Sequence, residues 1–333
     1  MEGTTFHGSK EGKVVESSFK RQKLEPDEVF VQVTHSGLCG TDLHYANQDM
    51  ALGHEAVGVV KAVGKACKLF KEGDRVGWGY EHMACGLCDN CLSGHDRFCK
   101  DAKMYGNADF DQGSFSNIGV WKERWLFHIP DGLKSEHAAP LMCGGATVFS
   151  PLIEYCKPID RVGIVGVGGL GHLAIQFAAK MGCDVVVFSG TDSKKKEALE
   201  LGAREFYATK GVDNFSDLGV SKPVNRLIIT TSTLVDVGQY FPILAQEATV
   251  IPLTVSEEKM TAPHQEMILR GIKIIGSVLA TRYLQNKMLE FADRNNIQPM
   301  VEKFPMTEQG INDAIQRLKD GKMRYRGVVS WEY

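Results

Sequence analysis

One hexapeptide limits the fold more than any other stretch: Gly166-Val167-Gly168-Gly169-Leu170-Gly171, directly after the apolar run 161–165. The first glycine permits a tight turn, the second lets a pyrophosphate approach the backbone, and the third lets helix and strand pack closely. The helix N-terminus then faces the negative charge. A bare glycine pattern would be an ordinary turn, so the flanks decide. A helical pattern covers 170–181 and a strand 184–188; a second helix over 193–201 stops at Gly202. Further strands are expected at 227–229, 248–251 and 273–275. That alternation predicts an α/β, doubly wound parallel sheet over 147–279, a dinucleotide-binding domain.

Earlier in the chain the texture differs. Val29-Phe30-Val31-Gln32-Val33, Ala56-Val57-Gly58-Val59-Val60 and Asp74-Arg75-Val76-Gly77 are β-branched runs broken by glycine, as in an irregular β-rich domain. The tail returns to this texture, with helices near 283–295 and 307–320 and a last strand at 327–330. A chain of 333 residues holds two domains with real cores. The first is read as discontinuous: 1–146, closed by 280–333.

The second strand of the dinucleotide domain ends Val187-Phe188-Ser189-Gly190-Thr191. A carboxylate at that tip would bind the ribose hydroxyls of NAD and repel a 2′-phosphate. Ser189 and Thr191 offer hydroxyls instead, and Lys194 and Lys195 follow, which favours NADP. In the competing reading Asp192 is the ribose acid; its place before the Lys-Lys-Lys-Glu start suits a helix cap better. The three lysines could equally be a solvated face. Candidate cofactor contacts are Gly166, Gly168, Gly169, Leu170, Gly171, Ser189, Gly190, Thr191 and Lys194, with Thr231 and Ser277 further on.

Nine cysteines would be odd as disulfides in a reducing compartment, and metal is the better reading. Cys85-x-x-Cys88-x-x-Cys91 followed by Cys99 describes a closed, tetrahedral structural zinc. A zinc-ribbon nucleic-acid module would look similar locally, but a net charge of −3 gives it no basic surface. Cys39, His54 and Cys143 are dispersed. Two cysteines and a histidine with one open position form a known catalytic zinc set, yet spacing alone does not assemble them, and a lone cysteine is more often packing. Cys67, Cys156 and Cys183 match no motif; His82, His95, His128 and His172 have no ligand spacing.

Cys39-Gly40-Thr41-Asp42, Gly53-His54-Glu55, Gly73-Asp74-Arg75-Val76, the four-cysteine lobe and the glycine fingerprint together resemble the zinc-dependent medium-chain alcohol dehydrogenases. Ala139-Pro140-Leu141-Met142-Cys143 with Thr147, and Met323 to Val329, are similar to the cinnamyl alcohol dehydrogenase-like subgroup. The resemblance covers nearly the whole chain. It implies a GroES-like catalytic domain beside a Rossmann domain, a homodimer, and two zinc ions per subunit. Cys39, His54 and Cys143 would hold the catalytic ion, with Glu55 beside it as a temporary ligand or an orienting acid. Thr41, His44 and Asp49 sit at the family's proton-relay spacings. Asp42 would support His54 or a backbone turn. Arg326 would reach the cofactor pyrophosphate or be an ordinary surface arginine. Met104 would line the substrate pocket. The link from Asp49 to Gly53 is shorter than the family's, so Met50 is expected beside substrate at a wider entrance that admits bulky aldehydes.

The implied reaction is zinc-dependent hydride transfer between NADP(H) and an aldehyde or primary alcohol. The alternative is reduction of a conjugated C=C or an iminium on the same scaffold. Hydrophobic residues at 43% and charged residues at 24% exclude disorder. The charge balance gives no reason to expect nucleic acid or membrane as partner, and no apolar run approaches the ~20 residues of a span. The polar start, 1–13, lacks a signal-like apolar stretch, so a cytoplasmic enzyme acting on a small molecule is expected.

Overall fold

In the computed structural model, which describes residues 1–331, the chain divides into two compact units. One comprises Met1–Ala146 together with the C-terminal stretch from Leu279, the other Thr147–Val278.

The first unit is built on a mixed sheet whose strands run, in spatial order, Val301–Pro305, Arg326–Ser330, Glu28–Leu38, Ala56–Val63, Arg75–Trp78 and Phe127–His128. Ile118–Lys122 also pairs with Glu28–Leu38. Alternation explains the long central strand: Val29, Val31 and Val33 are fully buried against Val60, Val76, Trp78 and Trp121. Each such side chain contributes about 1.5–3 kcal/mol relative to exposure. The last strand, Arg326–Ser330, lies antiparallel to Glu28–Leu38, with Gly327 opposite Leu38. Two helices of the tail, Arg282–Arg294 and Glu308–Lys319, begin at Thr281 and Thr307. Each threonine's hydroxyl accepts a backbone N–H three residues on, at 3.2 and 3.1 Å, as an N-cap should.

The second unit carries six parallel strands in the order Glu205–Ala208, Asp184–Ser189, Arg161–Val165, Val224–Ile229, Leu244–Pro252, Lys273–Ile274. Numbered along the chain this is 3-2-1-4-5-6, the Rossmann order. Val185, Val186, Val187 and Phe188 are all completely buried, because a parallel sheet is covered on both faces. The fingerprint helix is Gly171–Lys180. The next helix is shorter than its pattern suggests: a 3-10 turn over Asp192–Lys194 precedes Lys195–Glu200. Thr191, not Asp192, occupies the cap position, so the cap reading of Asp192 is corrected. No helix among the described residues is long and apolar enough to cross a membrane.

Candidate metal and cofactor sites

Antiparallel pairing brings the dispersed ligands together. Cys39 follows Leu38 at the end of one central strand, and His54 and Glu55 precede Ala56 at the start of its neighbour. Ser36 pairs with Ala56, and the Gly37 N–H donates to the Glu55 carbonyl at 2.8 Å. Cys143 arrives from a π-helical turn, Leu141–Gly145, a widening of the helix often found at functional positions. One ligand atom each from Cys39, His54, Glu55 and Cys143 lie within 4.8 Å of one another.

Their surroundings fix how they point. His54 is completely buried; its Nδ1 lies 3.0 Å from Asp42 Oδ1. The other Asp42 oxygen accepts the Cys39 N–H at 2.8 Å, so Asp42 both orients the imidazole and closes the first turn of the helix Gly40–Tyr45. The Tyr105 hydroxyl donates to Asp42 at 2.9 Å and accepts the Gly53 N–H at 3.0 Å, while its ring stacks on His54. Burial works against charge on His54, but Asp42 outweighs it and raises the imidazole pKa well above its usual value. The Cys143 thiol, against burial, holds Cys39 well below the ordinary thiol range.

Glu55 shows the opposite balance. Burial raises it to about 7, although the Arg326 guanidinium pulls the other way. Arg326 is itself buried and donates to Glu55 Oε1. It is therefore not a surface arginine: its Nη2 is engaged by Glu55, while its Nε is buried without a hydrogen-bond partner among the described residues. Gly37 is required here, since a Cβ would stand 2.0 Å from Glu55 Oε2.

Two atoms of this cluster, His54 Nε2 and Glu55 Oε2, are buried with no hydrogen-bond partner among the described residues. An orphaned buried polar atom costs about 1–3 kcal/mol. Both face a point where two thiols also converge, so a cation there satisfies all four. The residues fit a zinc ion.

The second set also fits. The Sγ atoms of Cys85 and Cys88 stand 3.9 and 3.6 Å from that of Cys91, near the ~3.8 Å edge of a tetrahedron with ~2.3 Å zinc–sulfur bonds. All four ligand atoms, including Cys99, lie within 4.8 Å. Backbone N–H groups of Leu87 and Cys88 donate to Cys85, pulling its thiol down to about 7. Such donors suit a thiolate ligand.

The other expected residues are placed unevenly. Thr41 Oγ1 lies 3.7 Å from the Cys39 sulfur. His44 is exposed on the same short helix. Asp49 is separated from both: its carboxylate, 94% exposed, lies 3.2 Å from His7 Nδ1, and no hydrogen bond joins Thr41, His44 and Asp49 among the described residues. Met50, expected beside substrate, is 2% exposed and packs with Phe6, Leu52, Tyr105 and Phe115. The shortened link faces no entrance. Gly8 and Phe115 donate to the Met50 and Leu52 carbonyls, while the Ala51 and Leu52 N–H groups donate to Phe110 and Phe6. The N-terminal strand Glu2–His7 thus covers the gap, and the wider entrance does not follow. Met104 is half-buried and opposite Glu81 in a two-stranded ribbon.

In the second unit two fingerprint glycines, Gly166 and Gly171, have a visible reason. Gly166 has φ +93°, a Cβ on Gly171 would stand 2.1 Å from the Gly166 carbonyl, and Gly168 faces open space. Lys194 Nζ donates to the Val167 carbonyl at 2.7 Å, so the strand tip bearing Ser189, Gly190 and Thr191 and the glycine loop with Gly169 and Leu170 share one rim. Thr231 Cγ2 stands 3.2 Å from the Cβ position of Gly166. Ser277 Oγ is buried without a partner among the described residues. Tyr105, Tyr80 and Arg326's bond to Glu55 had no signal in spacing; each contact joins residues far apart in sequence.

Residues 25–131 match the family Alcohol dehydrogenase GroES-like domain, and residues 169–294 match Zinc-binding dehydrogenase. The chain is 35% identical over 331 residues to a probable formaldehyde dehydrogenase AdhA of Bacillus subtilis, covering 95% of this chain and 94% of that one. With the same coverage, it is 32% identical to the NADP-dependent alcohol dehydrogenase C 1 of Mycolicibacterium smegmatis. A cinnamyl alcohol dehydrogenase structure from Sorghum bicolor superposes with a TM-score of 0.91 at 28% identity, over 99% of this chain and 98% of that one.

Proposed function

Because the chain belongs to the zinc-dependent medium-chain alcohol dehydrogenases, we propose that it catalyses R-CHO + NADPH + H⁺ ⇌ R-CH₂OH + NADP⁺. The observation that carries the carbonyl reading is the Thr41 hydroxyl set against the sulfur of Cys39, a proton carrier at the edge of the metal set. Bound zinc supplies Lewis acidity towards the carbonyl or alcohol oxygen, and the nicotinamide supplies the hydride.

The chain's own groups do the rest. Cys39, His54 and Cys143 hold the metal, with Glu55 as a further oxygen restrained by Arg326. Thr41 accepts the alcohol proton, and exposed His44, three residues on, exchanges protons with solvent. Asp49 stands outside this pair, on His7. The first unit then carries catalysis and the second the dinucleotide, bound along Gly166 to Gly171. NADP is favoured because Ser189, Thr191 and Lys194 line the strand tip where an NAD enzyme would carry a carboxylate. The Mycolicibacterium relative's NADP dependence supports the same choice.

Comparing kcat/KM for NADPH and NADH with a range of aldehydes tests the proposal. NADPH is expected to win, and Lys194→Ala should weaken NADPH while sparing NADH. A preference for NADH would make Asp192 the ribose acid. Thr41→Val should depress kcat for aldehydes and leave cofactor binding intact. If that variant keeps full activity on a conjugated C=C substrate, carbonyl reduction is the wrong reading. The homodimer is an inference from the family, checked by mass in solution.

A further inference from the structure

Glu81 begins the short strand Glu81–Met83, immediately after Tyr80. Its Oε1 is buried and has no hydrogen-bond partner among the described residues. A purely structural carboxylate here would bond Arg97 or Arg282, both near enough to draw its pKa down. Arg282 instead donates to Asp96 Oδ2 at 2.6 Å. Burial prevails, reinforced by the Asp96 charge, and Glu81 is pushed up to about 7. Leaving such an oxygen unmet is costly, and an apolar side chain at position 81 would avoid that cost.

Glu81 lines a cavity of ≈ 20 Å³, together with Tyr80, Trp125, Phe127, Met142 and Gln285. That is about the room one oxygen-sized group needs. The cavity adjoins the metal set: the Tyr80 ring lies 5.5 Å from that of His54, and Met142 precedes Cys143. Gln285 is already turned towards the Met142 carbonyl at 3.5 Å. Aromatic and thioether walls suit a carbon skeleton, and Glu81 offers an unspent acceptor at one point on them.

We propose that Glu81 is a specificity-determining residue that accepts a hydrogen bond from a second hydroxyl on the substrate. The enzyme then prefers diols and hydroxyaldehydes to counterparts lacking that group. A hydroxyl is favoured over an ammonium because burial opposes full charge on Glu81, and a neutral donor avoids desolvating a second ion. The inference rests on the alcohol–aldehyde reading above.

The test uses zinc-loaded enzyme and terminal diols from ethylene glycol to pentanediol. Each is compared with the alkanol in which a methyl replaces the far hydroxyl. Both kcat/KM and calorimetric binding are read. For at least one chain length the diol should be preferred roughly 2- to 12-fold, the worth of an ordinary hydrogen bond. Glu81→Gln should keep most of that ratio, and Glu81→Leu should abolish it while improving use of the alkanol. Equal binding of diol and alkanol by the wild type at every length overturns the proposal. So does an unchanged ratio in Glu81→Leu at unaltered Tm and zinc content, or a stronger preference for the matching amino alcohol. Diol-selective binding without turnover of any alcohol would instead sink the hydride-transfer reading and leave Glu81 as a ligand site.

Discussion

Asp42 decides which nitrogen of His54 can meet a cation. With Nδ1 engaged at 3.0 Å, only Nε2 remains. Removing the charge should therefore loosen the ion without touching a ligand. Asp42→Asn is expected to weaken zinc at this site about 10- to 100-fold, as outer-shell changes typically do. Competition with a chromophoric chelator reads the change, and undiminished retention would refute it. The candidate ligands Cys39, His54 and Cys143 were legible only through the family resemblance that their short motifs carry, since spacing alone does not assemble them. Tyr105 and the Arg326–Glu55 bond were not. The latter spans 271 positions, and no local pattern reports what the sheet will place beside it. Met50 misled for a related reason. Its place next to a shortened link suggested substrate contact, but the strand Glu2–His7, far upstream of the motif, buries it.

Within elements, the turn at Gly166 and the close packing at Gly171 were readable in the sequence, because both are local demands. The contrast between two members of the glycine fingerprint is testable. Gly171→Ala pushes a methyl onto the Gly166 carbonyl and should cost about 1–3 kcal/mol of stability. Gly168→Ala meets nothing within 4 Å, so it should fold normally yet bind NADPH more weakly. Thermal melts and cofactor titrations separate the two; equal loss of stability in both would contradict it. The ends of the neighbouring strands carry a second device. Arg161 bridges Asp184 and Glu205, and Ser221 and Tyr207 also donate to Glu205. Burial would raise Glu205, but these donors prevail and hold it at about 2, against 4.5 unperturbed. The benefit is complete above about 4.5 and disappears as pH falls towards about 2. Glu205→Gln should be less stable by about 1 kcal/mol at neutral pH, and its gap from the wild type should narrow below pH ~4.5. A gap constant across that window would overturn the assignment.

At the scale of the molecule, both candidate zinc sets lie in the unit formed by Met1–Ala146 and the tail. Exhaustive chelation should strip hydrogen-exchange protection from 85–105 and from the ends of strands around Cys39 and His54. Protection in Arg161–Val165 and Val224–Ile229 should persist, since the described residues of that unit contain no such set. Uniform loss in both units would show that the metal matters to the whole chain. Cys88→Ser should mimic chelation at the lobe alone. The fold class was visible because two textures alternate along the chain. Which strand neighbours which was not, since a mixed sheet's order depends on long-range pairing that periodicity does not encode.

The strand Arg326–Ser330 has a consequence for how the protein is made. It lies beside Glu28–Leu38 and delivers Arg326 to Glu55, yet it is synthesised long after both. At about 5–20 residues per second, the 271 positions from Glu55 to Arg326 take roughly 14 to 54 s to synthesise. Throughout that interval the nascent catalytic half has a sheet edge open and a buried acid without its cation, and the whole Rossmann unit, Thr147–Val278, is made within it. A stop codon just before Arg326 would therefore spare the dinucleotide unit and disable the one that carries the candidate metal sets.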